Sequence, residues 1–423
     1  MNHAVEHAVV PGWLDALREN AAGQFRAAGL PHRKVEAWKY TPMRLLEDVE
    51  LTPGPMESAD PAAGREAPAP LCERGLLVDI CDGQVCSAPP AESGGLTVLS
   101  LDQGIQRFEE RLRPLFESVN VDGPTRAFAA LNTAYARQGL VLHVAAGADA
   151  GRLLLRWYFR DAAARELRHF RVLLLLDDGA RLDLVEQYQS ISGAPGALNV
   201  MLQADLATGA SLRHTRLQAE PEEAMLLTST ALEQAGDSRY EYRGFDLGSS
   251  LARHELTVRL RGEGAAADLA GAFVLDGKRH VDNHVCVEHL APGCSSEQFF
   301  RGVLGGRSRG VFNGRALIQP GADGSSVRQS NANLLLSPLA EMDTKPELEI
   351  YADEVEASHG ATVGQLDDKA VFYLRSRGLS EREARHLLTV GFCRAVTDKV
   401  KGRGLAERIG ELLDAAMPIE SLS

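Results

Sequence analysis

Between residues 179 and 321 the chain places glycine at a nearly constant interval. Gly179, Gly209, Gly236, Gly264, Gly293 and Gly321 are 30, 27, 28, 29 and 28 residues apart. A second series, Gly248, Gly277 and Gly306, lies near the middle of those intervals, again 29 residues apart. The runs between the glycines alternate as strands do: Leu256, Val258 and Leu260 fall on one face, Thr257 and Arg259 on the other. A turn residue recurring about every 28 residues with β runs between is the signature of a solenoid, in which each coil buries its apolar face against its neighbours. A sandwich or barrel also shows short strands with turn signals and stays open as the alternative.

The flanks read differently. Leu14, Leu17, Ala21, Phe25 and Ala28 recur at helical spacing up to Gly29-Leu30-Pro31. Five prolines between residues 51 and 70 mark a solvated linker. LLVDICDGQVC then predicts a hairpin turning at Asp82-Gly83. Phe128, Leu131 and Tyr135 predict a helix that stops near Gly139 as a left-handed cap. After residue 372 the pattern returns to helix. Ser380 and Glu383 form a capping box, and Ala384, Leu387, Leu388, Gly391, Phe392, Ala395 and Val396 make one apolar stripe. A second helix carries Leu405, Ile409, Leu412 and Leu413. The organisation expected is a helical N-terminal region with a linker and hairpin over 1–139, a β core over 140–372, and a helical C-terminal region over 373–423.

Composition narrows the function classes. A net charge of −13 argues against nucleic-acid binding, which needs a basic surface to displace counterions. No apolar run approaches the roughly 20 residues that cross a bilayer, and MNHAVEHAVVPGW lacks the basic and apolar regions of a secretory signal; a cytoplasmic protein, not membrane-bound, is expected. The six cysteines form no C-x-x-C pair and read as reduced, mostly structural thiols, too few at cluster spacing for the chain to hold an iron–sulfur cluster alone. A P-loop, a nucleophile elbow, an H-E-x-x-H helix and a dinucleotide fingerprint are all missing. The Gly-rich GVLGGRSRG, residues 302–310, reads as a turn between strands.

Three stretches carry candidate chemistry. In VDNHVCVEH, residues 281–289, His284, Cys286 and Glu288 share a strand face and are the residue types that bind zinc or iron; adjacent same-face side chains point in parallel, however, and the polar face of a half-buried strand looks the same. Asp343, Glu347, Glu349, Asp353, Glu354 and Glu356 offer carboxylates for acid/base work, as in sugar-cleaving β-helix enzymes acting on acidic carbohydrate, or form a solvated charged run. In EIYADEVEASHGATVGQLDD, residues 349–368, the apolar parity slips between Ala352 and Val355, which places a bend at Asp353-Glu354. Beyond it His359 shares a face with Val355, Ala357, Ala361 and Val363, either as a packing residue in a dry seam or as a ligand with room around its ring.

The block DTKPELEIYADEVEASHGATVGQLDDKAVFYLRSRG, residues 343–378, closely resembles SufD proteins of the SufB/SufD family. GLPHRKVEAWKYTP (29–42) and GVFNGRALIQPGADGSSVRQSNANLLLS (310–337) extend that resemblance over nearly the whole chain. It implies a right-handed parallel β-helix flanked by helical regions, acting as a non-catalytic scaffold in the SufBCD complex that assembles iron–sulfur clusters. It implies two partners, a homologous SufB and the ABC-type ATPase SufC, which would hydrolyse the ATP; it also allows a homodimer when SufB is absent. His359 matches the histidine contributed to a nascent, transient cluster shared with SufB. The C-terminal helices would dock the ATPase, with Arg382, Arg385, His386, Leu387 and Phe392 as the contact candidates. The chain departs from relatives that have Cys where Ala357 stands. It departs from SufB-type sequences, which carry Glu after the histidine, where Gly360 stands here, and an upstream cysteine where this chain has none between Cys294 and Cys393. A purely structural platform is the remaining reading.

Overall fold

The computed structural model describes residues 11–52, 67–159, 166–190 and 196–418; most of the proline-rich linker falls outside them. An N-terminal helix α1, Gly12–Ala28, ends where Gly29 turns at φ 67°. Four short strands follow: β1 Leu76–Cys81, β2 Gln84–Ser87, β3 Glu92–Ser93 and β4 Leu96–Ser100. Helices α2, Leu101–Glu117, and α3, Ala127–Tyr135, lead into the repeating part. Its strands are β5 Gln138–Val144, β6 Asp149–Tyr158, β7 Leu167–Leu176, β8 Arg181–Tyr188, β9 Ala197–Leu206, β10 Ser211–Gln218, β11 Met225–Gln234 and β12 Arg239–Asp246. They continue with β13 Leu251–Leu260, β14 Ala266–Leu275, β15 His280–His289, β16 Ser295–Leu304, β17 Arg309–Ile318, β18 Ser326–Leu335, β19 Glu341–Ile350 and β20 Glu356–Gly364. Helices α4 Asp368–Ser376, α5 Glu381–Thr397 and α6 Arg403–Ala416 close the chain.

Two ten-stranded sheets run the length of the molecule. One is ordered β2-β1-β6-β8-β10-β12-β14-β16-β18-β20, the other β19-β17-β15-β13-β11-β9-β7-β5-β4-β3. Successive strands alternate between the sheets and pair in parallel with the strand one coil away, so the architecture is a parallel β-solenoid and not a sandwich or barrel. The glycine period marks the corners: Gly179, Gly209, Gly264 and Gly293 all adopt left-handed φ, and at the corner of Gly236 Asp237 takes that role at φ 57°. Residues in register form columns through the interior. Leu174, Ala204, Leu232, Val258, Val287, Ala316 and Leu348 make one such column, all but the last buried. Each large aliphatic member contributes roughly 1.5–3 kcal/mol by leaving water.

The interior also encloses charge. Glu186 meets His214 at 2.8 Å, and Arg216 meets Asp246 at 2.8 Å, with His254 3.1 Å from the same carboxylate. Mutual pairing is what makes such groups tolerable away from water.

Helices cover the outer faces. Alternating outward residues of one sheet, among them Val185, Leu217, Phe245 and Val274, pack with Cys393, Val396, Ile409 and Leu413 of α5 and α6. On the other sheet Leu173 and Leu175 pack with Leu101, Ile105 and Leu112 of α2. The approach is close enough that a Cβ on Gly104 would lie 2.1 Å from Val141. Helix α2 was not anticipated from the sequence. Its signal is present: Ser100 and Gln103 form a capping box.

Two expectations are corrected. Helix α3 ends at Tyr135 with an extended Ala136 as its cap; Gly139 instead lies inside β5, where a Cβ would come within 2.4 Å of the Arg171 carbonyl oxygen. The cysteines are not all free. The tight turn at Asp82-Gly83 folds the chain back so that Cys81 and Cys86, with Cα atoms 6.0 Å apart, form a disulfide; Cys72, Cys286, Cys294 and Cys393 remain thiols. The other hairpin and capping features stand as the sequence predicts, including the Ser380–Glu383 box and a turn at 305–308 between β16 and β17.

Candidate functional site

The parity slip at Asp353-Glu354 is a corner: Glu354 takes φ 54° between β19 and β20. Beyond it β20 pairs with β18, and the register sets Ala357 beside Val327, His359 beside Gln329, Ala361 beside Asn331 and Val363 beside Asn333. Those four β18 residues are buried, so His359 and its small same-parity neighbours do line the inward face, as the alternation implied. The inference that this face is dry is overturned. Every residue of β20 is exposed, Val363 by 44%, because β20 and β19 are the edge strands of their sheets at the same end and no further coil among the described residues covers them. A Cβ added at Gly360 would meet nothing within 4 Å. The His359 side chain makes no hydrogen bond or ion pair with the described residues. Leu339, Ile350 and Tyr351, between 42% and 61% exposed, add apolar surface around this open end. An uncapped solenoid end presents unpaired strand edges and an incomplete core, a combination that natural proteins cover.

The motif at 29–42 has a structural role in the fold. Trp38 is buried and donates its indole N–H to the Thr125 carbonyl at 3.1 Å. The Arg253 guanidinium stacks 3.7 Å from the Trp38 ring and, with the Thr41 hydroxyl, donates to Asp282. Burial alone would raise the Asp282 pKa, but Arg253 and His284 outweigh it and hold the carboxyl well below its usual range. The segment is thus strapped across the outer face of β13 and β15.

Beneath the strap lies a cleft of about 1030 Å³ whose lining includes Lys34, Arg259, His284, Cys286 and Glu288. The polar face that the sequence suggested was solvated is therefore a partly buried cleft floor. Its three candidate ligands do not converge. His284 is turned to Asp282 at 2.9 Å and Glu288 to Arg259 at 3.1 Å. Burial, reinforced by Glu288, pushes the Cys286 thiol up to about 11, far from the thiolate that binds metals. No group of three or more His, Cys, Asp or Glu side chains among the described residues is arranged to hold a metal ion.

The carboxylates are paired with cations or amides rather than with each other. Asp343 meets Arg309 at 2.8 Å, Glu349 meets Arg315 at 2.8 Å, and Glu347 accepts from Asn313 at 3.0 Å. Each bridge joins neighbouring strands on the outer face, which accounts for the acidic run without an acid/base pair. Asp353, Glu354 and Glu356 are exposed at the corner.

The apolar stripe of α5 divides. Cys393 and Val396 are buried against the solenoid, and Ala384 is buried near the start of α5, which packs with α4, while Leu387, Gly391 and Ala395, four residues apart, face outward. Phe392 is half-buried and lies 5.7 Å under the Arg301 guanidinium. Arg382 is exposed, Arg385 pairs with Glu381 on its own helix, and His386 reaches Asp414 of α6 at 2.8 Å. With Leu387 52%, Phe372 73% and Tyr373 56% exposed, α4 and α5 carry an uncovered apolar surface. Among the described residues no helix is long and apolar enough to cross a membrane.

Strapped flanks, a long parallel solenoid and a terminal coil left open among the described residues define a β-solenoid scaffold. Residues 159–392 match the family model described as the SUF system FeS cluster assembly, SufBD core domain. The chain belongs to the SufBD family. It is 28% identical to the iron–sulfur cluster assembly protein SufD of Escherichia coli over 93% of this chain and 91% of that one. A SufBD-family iron–sulfur cluster assembly protein of Synechocystis is likewise 28% identical, over 96% of this chain and 92% of its own length. One from Mycobacterium leprae is 36% identical over a shorter stretch, 38% of this chain and 44% of the relative.

Proposed function

We propose that the chain is a non-catalytic scaffold subunit of a cytoplasmic SufBCD-type complex, and that its open solenoid end seats the homologous SufB-type chain with His359 in the seam. The observation that carries this reading is the position of His359: an imidazole on the inward face of an uncapped coil, free of partners, among Ala357, Ser358, Gly360 and Ala361. Small neighbours let a second chain and an inorganic cargo approach closely. Imidazole is a sound iron ligand beside thiolate, so a ring nitrogen of His359 would hold iron or a growing cluster opposite a thiol of the partner. The cluster is the cargo of the complex, shared at the interface and passed on.

The C-terminal helices would meet the ATPase subunit. Support comes from the exposed Phe372, Tyr373 and Leu387 beside the outward small residues Gly391 and Ala395, the pattern of a helix pair laid into a partner's groove. Arg382 would contribute at the rim.

The test is His359→Ala in the co-expressed complex, purified without oxygen. The expected product has normal composition and normal ATP hydrolysis but little visible cluster absorption. Normal cluster content would make His359 a packing residue and remove the central claim.

A further inference from the structure

In register with His359, one strand further in, stands Gln329, and next to it Gln298. Gln329 is 6% exposed, yet neither its carboxamide oxygen nor its nitrogen has a hydrogen-bond partner. Gln298 donates to the Arg315 carbonyl at 3.1 Å but leaves its own oxygen unpaired. The adjacent columns behave differently: Asn331 and Asn333 bond to each other, to Thr344 and to the Thr362 carbonyl. Buried amides without partners are rare because each forfeits its hydration, and an apolar residue would serve a closed core better. Neighbouring strands lie about 4.8 Å apart, so in-register side chains touch. The free amide of Gln329 and the partnerless ring of His359 are therefore adjacent members of one column.

We infer that Gln329 is a positioning residue for the His359 site. Resting on the reading of His359 above, its carboxamide oxygen accepts the N–H of one imidazole nitrogen and so presents the other nitrogen's lone pair to iron. Ligating histidines commonly donate their second N–H to a carbonyl or carboxylate in this way, and loss of that acceptor typically weakens metal binding about 10- to 100-fold. The bond is absent in the free chain and forms when a partner closes the seam and fixes the ring.

Two substitutions separate positioning from packing. Gln329→Leu keeps the volume and removes the acceptor; Gln329→Glu keeps an acceptor and adds charge. Both are made in the co-expressed complex, with three readouts: subunit composition, melting temperature, and ferrous iron retained after anaerobic dialysis. The expected result for Gln329→Leu is an intact complex at least as heat-stable as the parent that retains iron about tenfold more weakly. Gln329→Glu should retain iron near the parental level despite a lower melting temperature. A pure packing role predicts the reverse order, and parental iron retention in Gln329→Leu overturns the inference. If His359→Ala also retains iron normally, the reading of the site itself has failed; if only Gln329→Leu is silent, that reading stands and this one falls.

Discussion

Acidification tests the energetics of this solenoid through four buried groups. Burial holds His169 and His289 at about 4, and it does the same for His280, where nearby Asp282 opposes the shift and Arg309 reinforces it. A histidine kept neutral by the fold contributes stability that is present above its unfolded value near 6.5 and is lost as the pH falls toward 4. Glu220 works in the opposite sense. Burial raises it to about 7 against hydrogen bonds from Ser190, so its contribution is complete below about 4.5 and is lost as the pH rises through 7. At 1.36 kcal/mol per pKa unit, moving from pH 7.5 to 5 removes roughly 2 kcal/mol per histidine and returns roughly 2 through Glu220, a net loss of roughly 4 kcal/mol from these four groups, to which His254, also held low by burial, adds in the same direction. Asp246 stays out of this window: burial alone would raise it, but Arg216 and His254 outweigh burial and hold it at about 2. The assay is urea unfolding followed by tryptophan fluorescence, Trp157 being fully buried, at pH 7.5 and 5. The midpoint should fall with acid, and Glu220→Gln should fall further, by roughly 6 kcal/mol in place of 4. A parental midpoint that does not move, or one that moves equally in Glu220→Gln, refutes the reasoning.

Three further outcomes are expected. Asp282→Ala removes the buried carboxylate that Arg253 and Thr41 share and leaves Arg253 with Glu255 as its remaining carboxylate, which costs up to about 3–5 kcal/mol, and should open residues 30–42 to limited proteolysis; a variant with parental melting and proteolysis would contradict the strap. Denatured, unreduced protein should titrate four thiols and reduced protein six, following the Cys81–Cys86 pair; six without reductant would deny the bond. Leu387→Asp should abolish co-purification of the ATPase subunit with the melting temperature unchanged, since Leu387 is exposed. That point variant is cleaner than deleting residues 380–423, which would strip the cover from Phe245, Val274 and Val303.

Local rules read from the sequence alone carried a good deal. Strand parity assigns each side chain of a strand to one of two faces, so Leu256 and Val258 inward, Arg259 outward, the corner at Glu354 and the inward parity of His359 were all legible before any coordinates. So was the 28-residue period, since every coil must turn at the same places. Burial was not legible, because it depends on what lies opposite. His359 has an apolar strand's parity yet is exposed, since β20 is the edge strand of its sheet and nothing among the described residues stacks on it. His284 and Cys286 have a surface strand's parity yet are partly buried, since a segment more than 240 residues earlier in the chain crosses above them. Leu387 and Val396 read as one sequence stripe, but nine residues apart they stand on opposite sides of α5, and only Val396 meets the sheet. The pairing of Glu186 with His214 and of Arg216 with Asp246, like the unpaired amide of Gln329, depends on residues one coil apart being brought into register. That contact is made in space between coils, and only the tertiary structure decides it.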